Sequence, residues 1–381
     1  MTSVREEHRH ALLDEAADGL AATDRVSAEF FAFYYSRVDS DDLMQRQPED
    51  LRGIVLSHRA LAEQRRPGES LVRCFAPTVE THGWATGNTV VQVVTDNRAF
   101  TVDSILAAVG RQGLEVRLLI HPQPRVSRDS DGRITGLDDT GTTESWVHLE
   151  VERLADEAAE QRLVERLEKV LADVAAAVTD WEPMTDRATT IAAALDVGPE
   201  MVSSTERQEA ADLLRWLVDD NFLFLGYRQY SFIDEPGGGL LTQVPDTGLG
   251  LLRREGGTRT RRLSGVIGEK AREPRVLIVS KANTRSTVHR ASYLDYIGIK
   301  IFDDDGVVVG EHRFLGLFTS LATHAPLSDI PVVRTKLDRV LELSGFATET
   351  HSARDLRSVL ESYPRDEVFQ ADADHLAEVA A

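Results

Sequence analysis

An α+β fold, with two β-rich units behind a helical lead-in, is what three observations in this sequence predict. Apolar residues recur at helical spacing up to Ala62, the pattern turns strand-like after Pro67-Gly68, and it turns strongly strand-like again after residue 220. With 381 residues the chain has room for two or three domains, each able to bury a core without disulfides or metals.

The lead-in comes first. Phe30, Phe31, Phe33, Tyr34 and Tyr35 mark one helix, read as core packing rather than as a partner-binding stripe. Leu51, Ile54, Val55, Leu56 and Leu61 mark a second, over 49–62. Beyond Pro67-Gly68, residues 71–75 and 90–95 read as strands, and Val102, Ile105, Leu106 and Val109 as a helix that stops at Gly110. Residues 114–120 are strand again, and Asp131-Gly132 turns a hairpin between Arg125-Val126 and Ile134. Over 146–151, Trp146, His148 and Glu150 alternate with Val147, Leu149 and Val151. A helix over 155–177, with Leu163, Leu167, Val170, Leu171 and Val174 on one face, closes a strand, helix, strand, strand, helix unit of ferredoxin-like kind.

A helical connector follows, where Ser203 and Glu206 have capping-box spacing and Ala210, Leu214, Leu217 and Val218 form the buried stripe. Strands are then expected over 222–232, 250–253, 275–280, 296–302 and 307–319, separated by Gly237-Gly238-Gly239 and Asp305-Gly306. A helix over 332–343 ends at Gly345, another spans 352–360, and the tail from Ala371 stays helix-prone without a stop. That ending predicts a chain that continues into a longer protein. The expected division is 1–68 lead-in, 69–180 first α+β domain, 181–220 connector, 221–346 second β-rich domain with an antiparallel sheet and flanking helices, and 347–381 the helical start of a further domain.

Composition narrows the function classes. Asp plus Glu number 63 against 43 Lys plus Arg, a net charge of −20 that repels phosphate backbones, so nucleic acid is not an expected partner. The one cysteine, Cys74, rules out a disulfide framework and fits a reducing compartment. No signal sequence and no membrane-length apolar run stand in the chain, and a cytoplasmic protein without a membrane partner is expected.

Three strings identify a family. They are KANTRSTVHRASYLDYIGIKIFDDDGVVVGEHRFLG at 281–316, ATGNTVVQVVTDNRAFTVDSI at 85–105 and ESWVHLEVERL at 144–154. Together they resemble the N-terminal portion of the large bacterial NAD-dependent glutamate dehydrogenases, over about 30–363. The resemblance implies ACT-like modules (ACT-type βαββα first) and a PAS-like or ACT-like second domain, with the dehydrogenase domain further toward the C-terminus. It implies a parent enzyme that converts glutamate, NAD and water to 2-oxoglutarate, ammonia and NADH as a homo-oligomer. Other domains and subunits of that dehydrogenase are then the partners, an amino acid a possible effector, and NAD the cofactor of the parent but not of this chain.

The residues agree that the chemistry lies elsewhere. No G-x-G-x-x-G occurs, and Gly248-Leu249-Gly250 is followed by Arg253 where a third glycine would stand. Walker A, H-E-x-x-H and G-x-S-x-G strings are absent, and His148-Leu149-Glu150 starts a zinc motif that one cysteine cannot complete. The resemblance implies amino-acid capture near the turn Thr95-Asp96-Asn97-Arg98-Ala99-Phe100. That turn has no glycine to let a backbone approach a ligand, although Arg98 is a donor for a carboxylate.

The residues from Arg253 to Arg290 invert the global charge. Arg253, Arg254, Arg259, Arg261, Arg262, Lys270, Arg272, Arg275, Lys281, Arg285 and Arg290 face only Glu255, Glu269 and Glu273. Either they pair with acidic surfaces of neighbouring domains or subunits, or some of Lys281, Arg285, His289 and Arg290 hold an anionic effector. Tyr293, Asp295 and Tyr296 read as strand-edge packing or as the hydrogen-bonding rim of a pocket. Asp303, Asp304 and Asp305 belong to a solvated turn, since no Glu stands where an EF-hand requires one. A catalytically silent regulatory and assembly segment is therefore expected, with a ligand-sensing module as the alternative.

Overall fold

The computed structural model describes every residue except 1, 21–25, 138–139, 236–237, 254–258, 264, 346–349 and 381. Arg254, Glu255, Gly237 and the boundary expected at 346–347 thus lie outside the described residues. Two compact units form, one of Met1–Ala175 with Thr287–Ala291, the other of Ala176–Ser286 with Ser292–Ala381.

In the first unit the helices α1 (Thr2–Asp18), α2 (Ala28–Tyr34), α3 (Ser40–Met44) and α4 (Pro48–Ala62) precede the sheet. Ser27 caps α2 by accepting the Phe30 N–H at 3.1 Å, and Pro48 begins α4, where a missing N–H costs nothing. The strands are β1 (Leu71–Phe75), β2 (Thr89–Asp96), β3 (Val116–Ile120), β4 (Arg125–Arg128), β5 (Ile134–Leu137) and β6 (Thr142–Val151). Between them lie α5 (Val79–His82) and α6 (Thr101–Gly110), and α7 (Glu157–Thr179) follows.

β6 pairs with β2 on one side and with β3, then β4, on the other, while β1 flanks β2, all antiparallel. The expected strand, helix, strand, strand, helix order therefore holds as β2, α6, β3, β6, α7. Pro122 and Pro124 interrupt the outer strand, yet their carbonyls still accept the N–H groups of Trp146 and Glu144 at 3.1 and 2.9 Å. One face of the sheet buries Val91, Val93, Val147 and Leu149 against Ile105 and Val109 of α6 and Leu163 and Leu167 of α7. The other face buries Val90, Val94 and Trp146 under Phe30, Tyr34, Leu51, Ile54 and Val55 of α2 and α4. Helices on both faces explain why β2 and β6 are buried along almost their whole length.

The second unit begins with α8 (Trp181–Asp196) and α9 (Ser204–Trp216), the latter capped by Ser203, which accepts the Glu206 N–H at 3.3 Å. Its strands are β7 (Phe222–Glu235), β8 (Gly238–Gln243), β9 (Leu249–Gly250), β10 (Thr260–Leu263), β11 (Leu277–Arg285), β12 (Tyr293–Phe302) and β13 (Val308–Phe318). They form an antiparallel sheet in the order β10-β8-β7-β13-β12-β11, with β9 beside β7. α10 (Gly265–Arg272) lies between β10 and β11, and α11 (Ser320–His324), α12 (Val333–Leu343), α13 (His351–Ser362), α14 (Arg365–Gln370) and α15 (Ala373–Ala380) complete the unit. Phe222, Phe224, Ile297, Ile299 and Phe314 share a core with Leu213 and Leu214 of α9 and Leu337 and Val340 of α12.

The structure adds β8, which takes in Gly238 and Gly239 of the expected separator, as well as β10 and α10, and two further differences from the sequence expectation have a plain physical reason. The strand expected over 250–253 stops at Gly250, whose φ of +55° is left-handed and whose N–H turns to the Asp180 carboxylate at 2.7 Å. β11 runs on to Arg285, past the expected end at 280, because Arg285 finds Tyr293 of β12 opposite it after a register shift. The β12–β13 turn forms as expected, with Asp303 Oδ1 accepting the N–H groups of Asp305 and Val307 at 3.1 and 2.8 Å.

Candidate functional site

The seven residues singled out in the sequence divide between the two units, Arg98, His289 and Arg290 in the first and Lys281, Arg285, Tyr293 and Tyr296 in the second. Arg98 lies in the β2–α6 turn with its Nη2 at 2.7 Å from Asp96 Oδ2, so its charge is met two residues away. Lys281 Nζ sits 2.7 Å from Asp295 Oδ1, and the other oxygen of that buried carboxylate accepts the Phe318 N–H at 3.2 Å. The Arg285 guanidinium lies 4.5 Å from the ring centre of Tyr293, its partner across β11 and β12. Tyr296 donates its hydroxyl to Glu311 of β13. His289, with φ +67°, belongs to the first unit, where its N–H donates to Ser104 Oγ at 2.9 Å. There its Nδ1 is 3.2 Å from Asp103 Oδ2 and its ring 5.1 Å from Phe100, itself at φ +66°. Arg290 lies exposed beside it in sequence. Elsewhere in the basic stretch, Arg253 pairs with Asp180 and Arg272 lies over Phe232.

What the first unit does assemble is a buried polar layer between its sheet and α4. Gln92 donates to Ser57 Oγ at 2.8 Å and to His148 Nδ1 at 3.2 Å, while its oxygen accepts from Arg73 at 2.6 Å. With Nδ1 an acceptor, the His148 proton sits on Nε2, which is 3.7 Å from Glu150 Oε1 and has no hydrogen-bond partner of its own. Glu150 is met by Arg46 at 2.5 Å and by Asn88 at 3.0 Å. Burial works to raise its pKa, but the nearby His148 and the bond from Arg46 prevail and hold it at about 2. His58 stands between Tyr34, at 2.7 Å, and the Val93 carbonyl, at 3.1 Å, which fixes the proton on Nε2 and makes the Tyr34 hydroxyl the donor. Burial pushes His58 well below its ordinary pKa, helped by the nearby His148, and lowers His148 despite Glu150.

A second polar group lies on the second unit's sheet, on the face opposite its apolar core. Arg313 lies 4.1 Å from the ring centre of Tyr230 and 5.0 Å from that of Tyr296. Its Nε donates to Glu311 at 3.1 Å, and Lys300 Nζ is 3.4 Å from the other oxygen of that carboxylate.

These groups hold elements together. Each buried charge named here has an opposite charge or carbonyl against it, and the hydroxyls that meet an imidazole include Tyr34 at His58, Ser145 at 2.8 Å from His121 and Tyr227 at 2.9 Å from His312. Burial and the charge of Glu160 push the Cys74 thiol up to about 12, far from a nucleophile's range. Among the described residues no group of three or more His, Cys, Asp or Glu side chains is arranged to hold a metal ion. Among them, too, no helix is long and apolar enough to cross a membrane. The polar layer had a visible signal: Gln92, His148 and Glu150 interrupt strands that are otherwise Val and Leu. Their partners Arg46, Ser57 and His58 sit far upstream, and nothing in local spacing connects the two.

Comparisons with known proteins follow the same outline. Residues 30–167 match the model of the glutamate dehydrogenase ACT1 domain, and residues 330–381 that of glutamate dehydrogenase helical motif 1. An NAD-specific glutamate dehydrogenase of Halomonas elongata is 32% identical over 362 residues, which is 92% of this chain and 22% of that protein. One of Pseudomonas aeruginosa is 34% identical over 91% of this chain and 22% of that protein. One of Mycobacterium tuberculosis is 27% identical over 85% of this chain and 19% of that protein.

Proposed function

The chain belongs to the family of the NAD-specific glutamate dehydrogenases, of which it spans about 22% of the length, and on that premise we propose that it is a non-catalytic regulatory and oligomerisation segment. The reaction of the whole protein, in this reading, takes glutamate, NAD and water to 2-oxoglutarate, ammonia and NADH on a domain outside these residues. NAD binds there, and the partners of this chain are the other domains and subunits of the same cytoplasmic dehydrogenase.

The observation that carries the reading is the use made of the ionisable side chains. In the first unit Arg46, Arg65, Arg73 and Arg128 are each bonded to Glu150, Glu144 or Gln92 across the sheet, which makes a stiff platform. A platform of this kind regulates by holding subunits in one arrangement, and an effector acts on it only by favouring one arrangement over another. The test is an assay of the 381-residue chain for glutamate-dependent NAD reduction, with its mass measured by light scattering. No turnover and a self-associated chain are expected, and measurable turnover overturns the proposal.

A further inference from the structure

A cleft of about 740 Å³ opens in the second unit between β11, the first turns of α9, α12, and the residues joining α14 to α15. Its volume lies in the range of small-molecule sites, roughly 300–1,000 Å³. One wall is the free edge of the sheet. Lys300 of β12 donates its N–H to the Val276 carbonyl at 2.9 Å, so in the alternation of an antiparallel ladder the N–H groups of Leu277 and Val279 point away from β12, toward the cleft.

The charges around the cleft are not evenly committed. Glu206 accepts the Val276 N–H at 3.4 Å, Glu209 accepts the Val332 N–H at 2.6 Å and binds Arg334, and Asp372 accepts the His375 N–H at 2.9 Å. The bases are left with less. Arg275 is exposed, and among the described residues its side chain has no hydrogen-bond or ion-pair partner. Lys336 Nζ gives its three protons to the carbonyls of Val368, Phe369 and Ala371, at 3.2, 2.6 and 2.9 Å, and has no carboxylate partner among the described residues, so it offers an anion its charge rather than a hydrogen bond. Burial first, then the positive charge of Arg275, bring this lysine down to about 8, with Asp372 working the other way. A neighbouring anion would relieve that cost. Four acids line the cleft, Glu206, Glu209, Glu273 and Asp372, of which Glu273 is exposed on the rim and Glu209 is paired with Arg334.

We propose that this cleft binds a small organic carboxylate with an apolar body, the carboxylate on the Arg275 and Lys336 side and the body against Leu277, Val279 and Phe369. Two basic groups and two strand-edge donors suit one carboxylate, whereas a polyphosphate would call for more positive charge. The regulatory reading above gives the site a purpose, and the site gives that reading a ligand class.

Calorimetry on the whole chain with hexanoate, hexan-1-ol and inorganic phosphate separates charge from apolarity. Hexanoate is expected to give saturable heat at one site, with affinity about tenfold above hexanol, and phosphate none. Arg275→Ala removes only an exposed side chain, so it is expected to weaken hexanoate by about tenfold without moving the melting temperature. In buffers of different ionisation heat near pH 8, hexanoate binding is expected to take up protons as Lys336 is recharged. Equal affinity for hexanol and hexanoate, no saturable heat, or indifference to Arg275→Ala overturns the proposal. A chain that neither turns over nor binds hexanoate keeps the assembly reading and loses this one.

Discussion

Arg65 and Glu144 form an ion pair at 2.8 Å with only 3% and 1% of their side chains exposed, and it joins the end of the helical lead-in to β6. Glu144 stands directly across the ladder from Asp96, two carboxylates that would repel each other. Arg65 answers both, with Nη1 at 2.7 Å from Asp96 Oδ1. Arg128 adds bonds of 2.7 and 2.9 Å to the two oxygens of Glu144, and Trp146 Nε1 one of 3.0 Å. Burial alone would raise the Glu144 pKa, but the bonds from Arg128, Arg65 and Trp146 outweigh it and keep it below the usual carboxylate value.

Removing that carboxylate strands two guanidinium groups in the interior. Glu144→Leu is therefore expected to cost the first unit about 3–5 kcal/mol, measured as a shift of its urea midpoint. Replacing Arg65 as well should add less than the sum of the single effects, since the second change removes a charge the first left unpaired. A Glu144→Leu loss below about 1 kcal/mol would show that the network is not the joint inferred here.

Acid should loosen the same unit through its two buried histidines. An unfolded histidine titrates near 6.5, whereas both His58 and His148 are lowered in the fold, chiefly by burial. Below about pH 6.5 the unfolded chain therefore binds more protons than the folded one, and stability falls as pH drops. Glu150, lowered from an ordinary value of 4.5 to about 2, adds its own loss only below about pH 4.5, outside that window. Urea midpoints between pH 8 and pH 5, in roughly the window set by these shifts, should decline, and less steeply in His58→Phe. A flat profile contradicts the buried neutral histidines.

On the second unit's sheet, Tyr296→Phe deletes the hydroxyl that donates to Glu311 while keeping the ring under Arg313. Glu311 retains Arg313 and Lys300, so the expected cost is about 1–2 kcal/mol. Arg313→Ala should cost more, because it takes the closer cation from a carboxylate only 6% exposed, leaving Lys300 at 3.4 Å, and leaves both tyrosine rings without their cation. Thermal unfolding of the two variants gives the order, and the reverse order would mean that Glu311 depends on Tyr296 rather than on Arg313.

Much of the fold was legible because its elements are locally marked. Gly110 and Gly345 ended helices, Ser203 began one, Asp305-Gly306 turned a hairpin, and the alternation over 146–151 gave a strand with two distinct faces. What local reading could not supply was the burial of both those faces. Trp146, His148 and Glu150 look like a wet face until α4 is laid over them, and only then do His148 and Glu150 need His58, Arg46 and Gln92 nearby. The conspicuous bases between 281 and 290 show a different limit of local reading. They are adjacent in sequence, but a register shift falls between Lys281 and Arg285, and Thr287–Ala291 belong to the first unit.

The same dependence on what lies overhead decides the sign of one last substitution. Gly53 is inside α4, where exchanging glycine for alanine ordinarily stabilises a helix by about 1 kcal/mol. A Cβ at that position would stand 2.3 Å from Cγ and 2.4 Å from Cδ1 of Trp84, which is 2% exposed and packs edge-on against Phe75 at 6.1 Å. The indole has no room to withdraw without disturbing Phe75, so overpacking by about 1–3 kcal/mol should exceed the helix gain. Gly53→Ala is expected to lower the melting temperature in the natural background and to raise it once Trp84 is replaced by Leu. If alanine stabilises both backgrounds alike, Trp84 does not hold α4 as its position implies.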